Sequence, residues 1–84
     1  MATSKIEKPF SIYKKTGTLP NQSGDIIVSD FFSSYDQPII GFVSCYGGQW
    51  RNLNIGYQGN NLIVMDSIDE YKNKSFYVLC MKSV

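Results

Sequence analysis

The segment IIGFVSCYGGQWRNLNIGY, residues 39–57, predicts two strands joined by a glycine turn. Residues 39–46 are dense in β-branched and aromatic side chains, which favour strands. Gly47 and Gly48 can adopt positive φ without a steric penalty, as a tight reversal requires. Beyond the turn, polar residues alternate with the apolar residues Leu53, Ile55 and Tyr57, which is typical of a strand with one buried face. The segment therefore predicts a β-hairpin at the centre of the fold.

Size and charge limit the class of protein. The chain has 84 residues, which suits one domain with a thin core. Aromatic residues make up 14% of the sequence, and their large apolar areas can supply much of that core. The formal net charge is +1, and the lysines are scattered rather than clustered in the basic stripe of a duplex-binding domain. We therefore expect no nucleic-acid partner.

The N-terminal segment has no apolar run of the kind found in signal peptides or membrane spans. We expect residues 1–8 to be a flexible lead-in and residues 9–84 to form the single domain. The chain is then expected to be made in the cytoplasm of the producing cell, without membrane insertion.

Two cysteines, Cys45 and Cys80, are too few for a disulfide framework. They fit two small buried hydrophobic residues, or a single disulfide if their strands are neighbours. The sequence contains no histidine, and two thiolates fall short of the four ligands that zinc usually takes. We therefore expect no metal ion and no other cofactor.

Turn-forming residues divide the rest of the chain into short segments. Strands are predicted at residues 10–19, 25–32, 62–68 and 75–81, in addition to the hairpin. Pro38 ends a polar loop, residues 33–38, and is expected to exclude a central strand from that loop. No segment has an apolar stripe with the period of a helix. This spacing predicts an all-β fold, a small antiparallel β-sandwich of about six strands.

Several predicted strands are apolar on both faces. In residues 75–81, one face carries Phe76, Val78 and Cys80, while the other face also consists of apolar or aromatic residues. A thin sandwich buries one face of each sheet, so the second face needs another cover. We predict a homo-oligomer whose β faces pack around a symmetry axis, and the alternative is a closed monomeric barrel with a small exposed patch. The predicted interface residues are Tyr77, Leu79, Met81, Ile63 and Met65.

The sequence offers no catalytic constellation. Without histidine, triads that use it as the base are excluded. Asp66 and Asp69 form a closely spaced carboxylate pair, but at the end of a strand they fit solvated turn residues better than a glycosidase pair. Cys45 has no nearby base in the sequence to activate it as a nucleophile. We therefore expect a protein that is not an enzyme.

Aromatic residues near predicted loop ends point to ligand binding. Apolar faces of sugar rings stack on aromatic rings, while amides and carboxylates bind sugar hydroxyls. Structural roles compete with ligand binding for the same residues. Tyr46 and Tyr57 are consistent with core residues, Trp50 with a residue that caps the fold, and the asparagines with turn formers. The predicted ligand-binding residues are Trp50, Arg51, Tyr35, Asp36, Asn60 and Gln49.

Five short motifs follow one another along the chain: Lys15-Thr16-Gly17-Thr18-Leu19, Asp25-Ile26-Ile27-Val28, Trp50-Arg51, Gly59-Asn60-Asn61-Leu62-Ile63-Val64 and Phe76-Tyr77-Val78-Leu79-Cys80-Met81. Their order, over residues 10–81, resembles the C-terminal receptor-binding tip domain of bacteriophage tail fibres. The resemblance implies a compact β-sandwich that assembles as a homotrimer at the tip of the virion's tail. It also implies host attachment through a bacterial surface receptor, either polysaccharide or protein.

Together these features predict a viral host-recognition module without enzymatic activity, which binds a cell-surface glycan or protein. The alternative is a small phage-encoded inhibitor of a bacterial defence system that binds a protein or nucleotide partner. A further alternative is a small barrel that binds single-stranded nucleic acid through aromatic stacking.

Overall fold

Seven antiparallel strands form two sheets in the computed structural model, which describes residues 10–83. The strands are β1 (Phe10–Thr18), β2 (Gly24–Val28), β3 (Asp36–Ser44), β4 (Trp50–Leu53), β5 (Ile55–Gln58), β6 (Asn61–Ser67) and β7 (Ser75–Ser83). Short 3₁₀ segments occur at Tyr46–Gly48 and Asp69–Tyr71. The prediction of an all-β class is confirmed, while the predicted lead-in, residues 1–8, lies outside the described residues.

The two sheets differ in size and connectivity. The large sheet has the strand order β1-β7-β3-β4, and the small sheet has the order β2-β6-β5. β7 is the last strand in the chain, yet it lies inside the large sheet, between the antiparallel strands β1 and β3. The strand partners of β7 therefore lie at least 33 positions earlier in the chain.

The central hairpin forms as predicted. Gly47 and Gly48 have φ values of 72° and 73°, in the left-handed region that residues with a Cβ rarely adopt. The amide of Cys45 donates a hydrogen bond of 2.7 Å to the carbonyl oxygen of Gln49, which closes the turn. Ser44 and Trp50 are then the first cross-strand pair beyond it.

The second strand of the hairpin is shorter than predicted, because the chain changes sheets at Asn54. β4 pairs with β3 in the large sheet, while β5 pairs with β6 in the small sheet. The carbonyl oxygen of Asn54 accepts a hydrogen bond of 2.8 Å from the amide of Met65 at the crossing. Leu53 and Ile55, on either side of it, belong to or pack against the core. The break thus gives seven strands where about six were expected, and a strand that switches sheets forms the corner.

The strand predicted over residues 25–32 ends early, at Val28. Asp30 has a φ of 55°, and its amide donates a hydrogen bond of 3.0 Å to the side-chain oxygen of Asn61. This turn places Phe31 and Phe32 in a loop, whereas the period of two had assigned them to opposite faces of a strand. Their rings contact each other edge to face at 5.0 Å, and Phe32 is buried.

The expected loop at residues 33–38 is also partly strand, because β3 begins at Asp36 and runs through Pro38. A bulge lies between Pro38 and Ile40 in the pairing with β7. On the other side of β3, the pairing with β4 covers only Gly41 to Ser44. Pro38 is thus tolerated at a bulge where one side of the strand is unpaired, as proline in sheets usually is.

One hydrophobic cluster draws on both sheets and on the loops between them. Its buried members are Val43, Leu53, Phe76, Val78 and Cys80 from the large sheet, Ile26, Leu62 and Val64 from the small sheet, and Leu19, Phe32 and Cys45 from loops. Along β7, the buried residues alternate with Tyr77, Leu79 and Met81, which remain half-buried on the other face. Each sheet therefore has an inner face on this core and an outer face turned away from it.

Both cysteines are buried and present as free thiols, which supports the interpretation of Cys45 and Cys80 as small core residues. Each thiol lies near a backbone carbonyl two residues earlier, at 3.9 Å for Cys45 and 3.8 Å for Cys80. Burial raises the pKa of the Cys80 thiol, with a smaller contribution from the charge of Asp36. The neutral thiol is therefore favoured, consistent with a packing role.

Candidate ligand-binding groove

A groove of about 430 Å³ opens on the large sheet across the ends of β1, β7 and β4, with β3 lying between β7 and β4 in the sheet. Its lining consists of Lys14, Thr16, Gly17, Thr18, Trp50, Ser75, Phe76 and Tyr77. Such a mixture of aromatic rings and hydroxyl groups is found in pockets that bind small polar ligands.

Strand pairing brings the lining together. Thr16 lies opposite Tyr77 and Thr18 lies opposite Ser75 in the β1–β7 ladder. On the far side of β7, Tyr77 is opposite Phe42, and β3 continues to the pair Ser44 and Trp50. The groove thus combines residues from three strands, and all of its lining except the paired residues Gly17 and Phe76 lies on the outer face of the large sheet.

The Tyr77 ring contacts two other side chains of the groove, those of Trp50 and Lys14. The Trp50 indole meets the Tyr77 ring edge to face at a centroid distance of 5.0 Å, while Phe42 packs on the same ring at 5.3 Å. Trp50 remains 49% exposed, so part of the indole surface is free for a ligand. The Lys14 ammonium lies 4.7 Å from the centroid of the Tyr77 ring, in range of a cation–π attraction.

Arg51 lies on the opposite face of the sheet from Trp50, because consecutive strand residues point to opposite faces. Its guanidinium lies 3.8 Å from Glu70. A hydrogen bond with the Tyr71 side chain and, secondarily, the charge of Glu70 raise the pKa of Arg51. The predicted pair of Trp50 and Arg51 is therefore not brought together at one site.

The other predicted ligand residues are dispersed as well. Gln49 is exposed next to Trp50, but its carbonyl oxygen closes the glycine turn. Asn60 lies in the turn between β5 and β6, where its carbonyl oxygen accepts a hydrogen bond of 2.9 Å from Phe32. Tyr35 is exposed in the loop before β3. Asp36 instead has a buried side chain, whose oxygen accepts hydrogen bonds from Lys15 and Ser33 at 3.1 and 2.8 Å.

The sequence interpretation did not assign Lys14, Thr16, Thr18 or Ser75 to a site, and it assigned Tyr77 to an oligomer interface. Alternation along β1 does place Lys14 and Thr16 on one face, which is a local signal. Their approach to Trp50 depends on the pairing of β1 with β7, which joins residues 57 to 73 positions apart. Local sequence patterns do not fix that pairing.

The predicted interface residues divide between the two outer faces. Tyr77, Leu79 and Met81 lie on the outer face of the large sheet. Ile63 and Met65 lie on the outer face of the small sheet, beside the exposed Ile27. A single flat contact surface therefore cannot include all five residues. The side chain of Tyr46, another aromatic residue of interest, lies outside the described part of the chain.

Within the described range of 10–83, no group of three or more His, Cys, Asp or Glu side chains is placed to hold a metal ion. The same residues contain no helix long and apolar enough to span a membrane.

Comparison with known proteins adds no identification, since no family model, no curated protein and no solved structure matches the chain.

Proposed function

We propose that this chain is a carbohydrate-recognition module without enzymatic activity, and that its binding site is the groove between Lys14 and Trp50. The observation that carries the proposal is the half-exposed Trp50 indole, fixed by Tyr77 beside a row of hydroxyl side chains. An indole presents an apolar face to a sugar ring, and the threonine and serine hydroxyls can donate to or accept from sugar hydroxyls. Because the ring is already held in place, little side-chain entropy is lost on binding.

The biological setting that we propose is the receptor-binding tip of a bacteriophage tail fibre. The motif order of residues 10–81 supports it, as does an outward-facing aromatic groove on a rigid sheet. The receptor would be a polysaccharide of the bacterial surface. A shallow groove on one domain binds weakly, so several copies in one virion would supply the avidity for attachment.

We further propose that the two sheets pack as a β-sandwich and that three copies assemble through the small sheet. The outer face of the small sheet carries Ile27, Ile63 and Met65, and Ile27 is 64% exposed. A contact there would cover these residues while leaving the groove on the large sheet open. Sedimentation equilibrium is expected to give a mass near three times 9.5 kDa. A monomer at high protein concentration would contradict the trimer and leave the groove proposal untouched.

Replacement of Trp50 by alanine tests the binding site. Against a panel of neutral and acidic bacterial surface polysaccharides, we expect at least one ligand for the natural protein and an affinity about tenfold lower or worse for Trp50→Ala. Isothermal titration calorimetry suits this test, because Trp50 is the single tryptophan and its fluorescence is lost in the variant.

Tyr57→Ala is the matched control, since Tyr57 is a 63% exposed aromatic residue on the small sheet. It should bind as the natural protein does, and circular dichroism should show that both variants fold. No binding to any member of the panel, or an equal loss in both variants, would overturn the proposed function.

A further inference from the structure

Among the described residues that line the groove, Lys14 carries the one charged side chain, and no carboxylate is present. The neighbouring Lys15 points to the other face, where its ammonium pairs with the Asp36 carboxylate at 3.1 Å. Lys14 instead lies over the Tyr77 ring at 4.7 Å, a contact that positions the ammonium without neutralising its charge. No carboxylate in the part of the chain that the structure describes pairs with Lys14, so a ligand in the groove meets a cation that these residues leave uncompensated.

We infer that the groove selects an acidic glycan, one that contains uronic acid units, and this inference rests on the proposed carbohydrate-binding function. A single ammonium group matches the single charge of a carboxylate and can donate up to three hydrogen bonds. Hydrogen bonds between charged partners are roughly twice as strong as neutral ones. Neutral sugars would leave that ammonium without a charged partner.

The aromatic rings of the groove also require the sugar ring and the carboxylate of such a ligand to bind at different positions. The face of an indole carries negative electrostatic potential, so an anionic group is disfavoured directly above Trp50. The carboxylate must therefore project beyond the ring while the apolar face of the sugar lies on it. Lys14 is the cation within reach of such a carboxylate, because Lys14 and Trp50 both contact the Tyr77 ring, at 4.7 and 5.0 Å from its centroid. One short oligosaccharide can then contact the indole with one unit and the ammonium with a carboxylate.

Single-stranded nucleic acid also combines anions with flat rings, but the groove fits it less well. Such binding usually needs a basic track along which successive phosphates lie. In the described part of the chain, the groove supplies one lysine, and the lysine beside it is already paired.

The test compares acidic oligosaccharides with the same molecules after chemical reduction of their carboxylates to alcohols. Oligomers of galacturonate, of guluronate and mannuronate, and of the glucuronate-containing hyaluronan are titrated by Trp50 fluorescence. We expect at least one acidic oligomer to bind about tenfold more tightly than its reduced form, with affinity falling as salt is added. In Lys14→Gln, that preference should disappear while binding of the reduced form persists. Lys82→Gln removes the same charge from an exposed position on β7 outside the groove, and it should keep the preference.

Three other outcomes would contradict the inference, and they differ in which proposal they reject. Equal affinity for acidic and reduced forms would reject acid selectivity and retain carbohydrate binding. Binding to neither form, together with failure of the wider polysaccharide panel, would reject both proposals. Tighter binding to an oligothymidylate than to any glycan would assign the groove to single-stranded nucleic acid.

Discussion

Phe76→Ala is expected to lower the free energy of unfolding by about 3–5 kcal/mol, the usual cost of removing a buried phenylalanine. Phe76 is 2% exposed and lies at the centre of the cluster shared by both sheets. Its ring packs against Phe31 at a centroid distance of 5.5 Å. The ring also approaches the backbone of Gly17 so closely that a Cβ there would lie 2.8 Å from two of its atoms. Truncation would therefore leave a cavity that neither the β1 backbone nor a single loop ring can readily fill.

Small domains have total stabilities at the lower end of the range of roughly 5–15 kcal/mol, so the variant should be largely unfolded at modest denaturant concentration. Urea unfolding followed by circular dichroism measures the change. Phe42→Ala is the matched control, because Phe42 is only half-buried and lies on the outer face of the large sheet. It should cost about 1 kcal/mol. Similar losses in the two variants would show that the two faces of the sheet are equally buried, which contradicts the fold.

Patterns between neighbouring residues predicted much of this fold. The two glycines of the hairpin specify a reversal by their conformational freedom alone, and both have positive φ. The alternation along β7 follows from pleating, so its two faces were identified correctly although its partners were unknown. The break at Asn54 was not predicted, because residues on both sides of it continue the same period of two. The change of sheet depends on pairing with Met65, a contact between strands that carries no local signal.

Only part of the candidate site could be predicted from the sequence, because the rest depends on contacts between strands that carry no local signal. Trp50 was identified from its position after the turn, which is a local property. Arg51 was grouped with Trp50, although pleating directs adjacent residues of a strand to opposite faces. The sequence alone was therefore sufficient to predict that these two side chains are separated. Lys14 and Tyr77 could not be joined to Trp50 without the order of strands in the large sheet. The sequence indicated that Asp36 is a loop residue next to an exposed tyrosine, whereas its carboxylate forms an ion pair with Lys15 within the fold.

Asp36→Ala is expected to lower the free energy of unfolding by about 2–3 kcal/mol. The Asp36 side chain is 3% exposed, and one of its oxygens accepts from both the Lys15 ammonium and the Ser33 amide. Removing one partner of a fully buried ion pair costs about 3–5 kcal/mol, because the other charge remains buried without compensation. Lys15 is 30% exposed, so water can solvate its ammonium in part, and the expected cost falls below that range.

Asp36→Asn separates the two roles of the carboxylate. The amide oxygen can still accept from Ser33, so this variant loses the charge pairing alone and should be less destabilised than the alanine variant. Asp69→Ala is the control, because the Asp69 side chain is 81% exposed and pairs with Lys72 at 3.4 Å. A surface ion pair of this kind typically contributes less than about 1 kcal/mol to stability. Urea midpoints with unchanged slopes give all three values. If Asp36→Ala kept its stability but lost glycan binding, Asp36 would be a ligand contact as the sequence predicted, and its burial in the fold would be wrong.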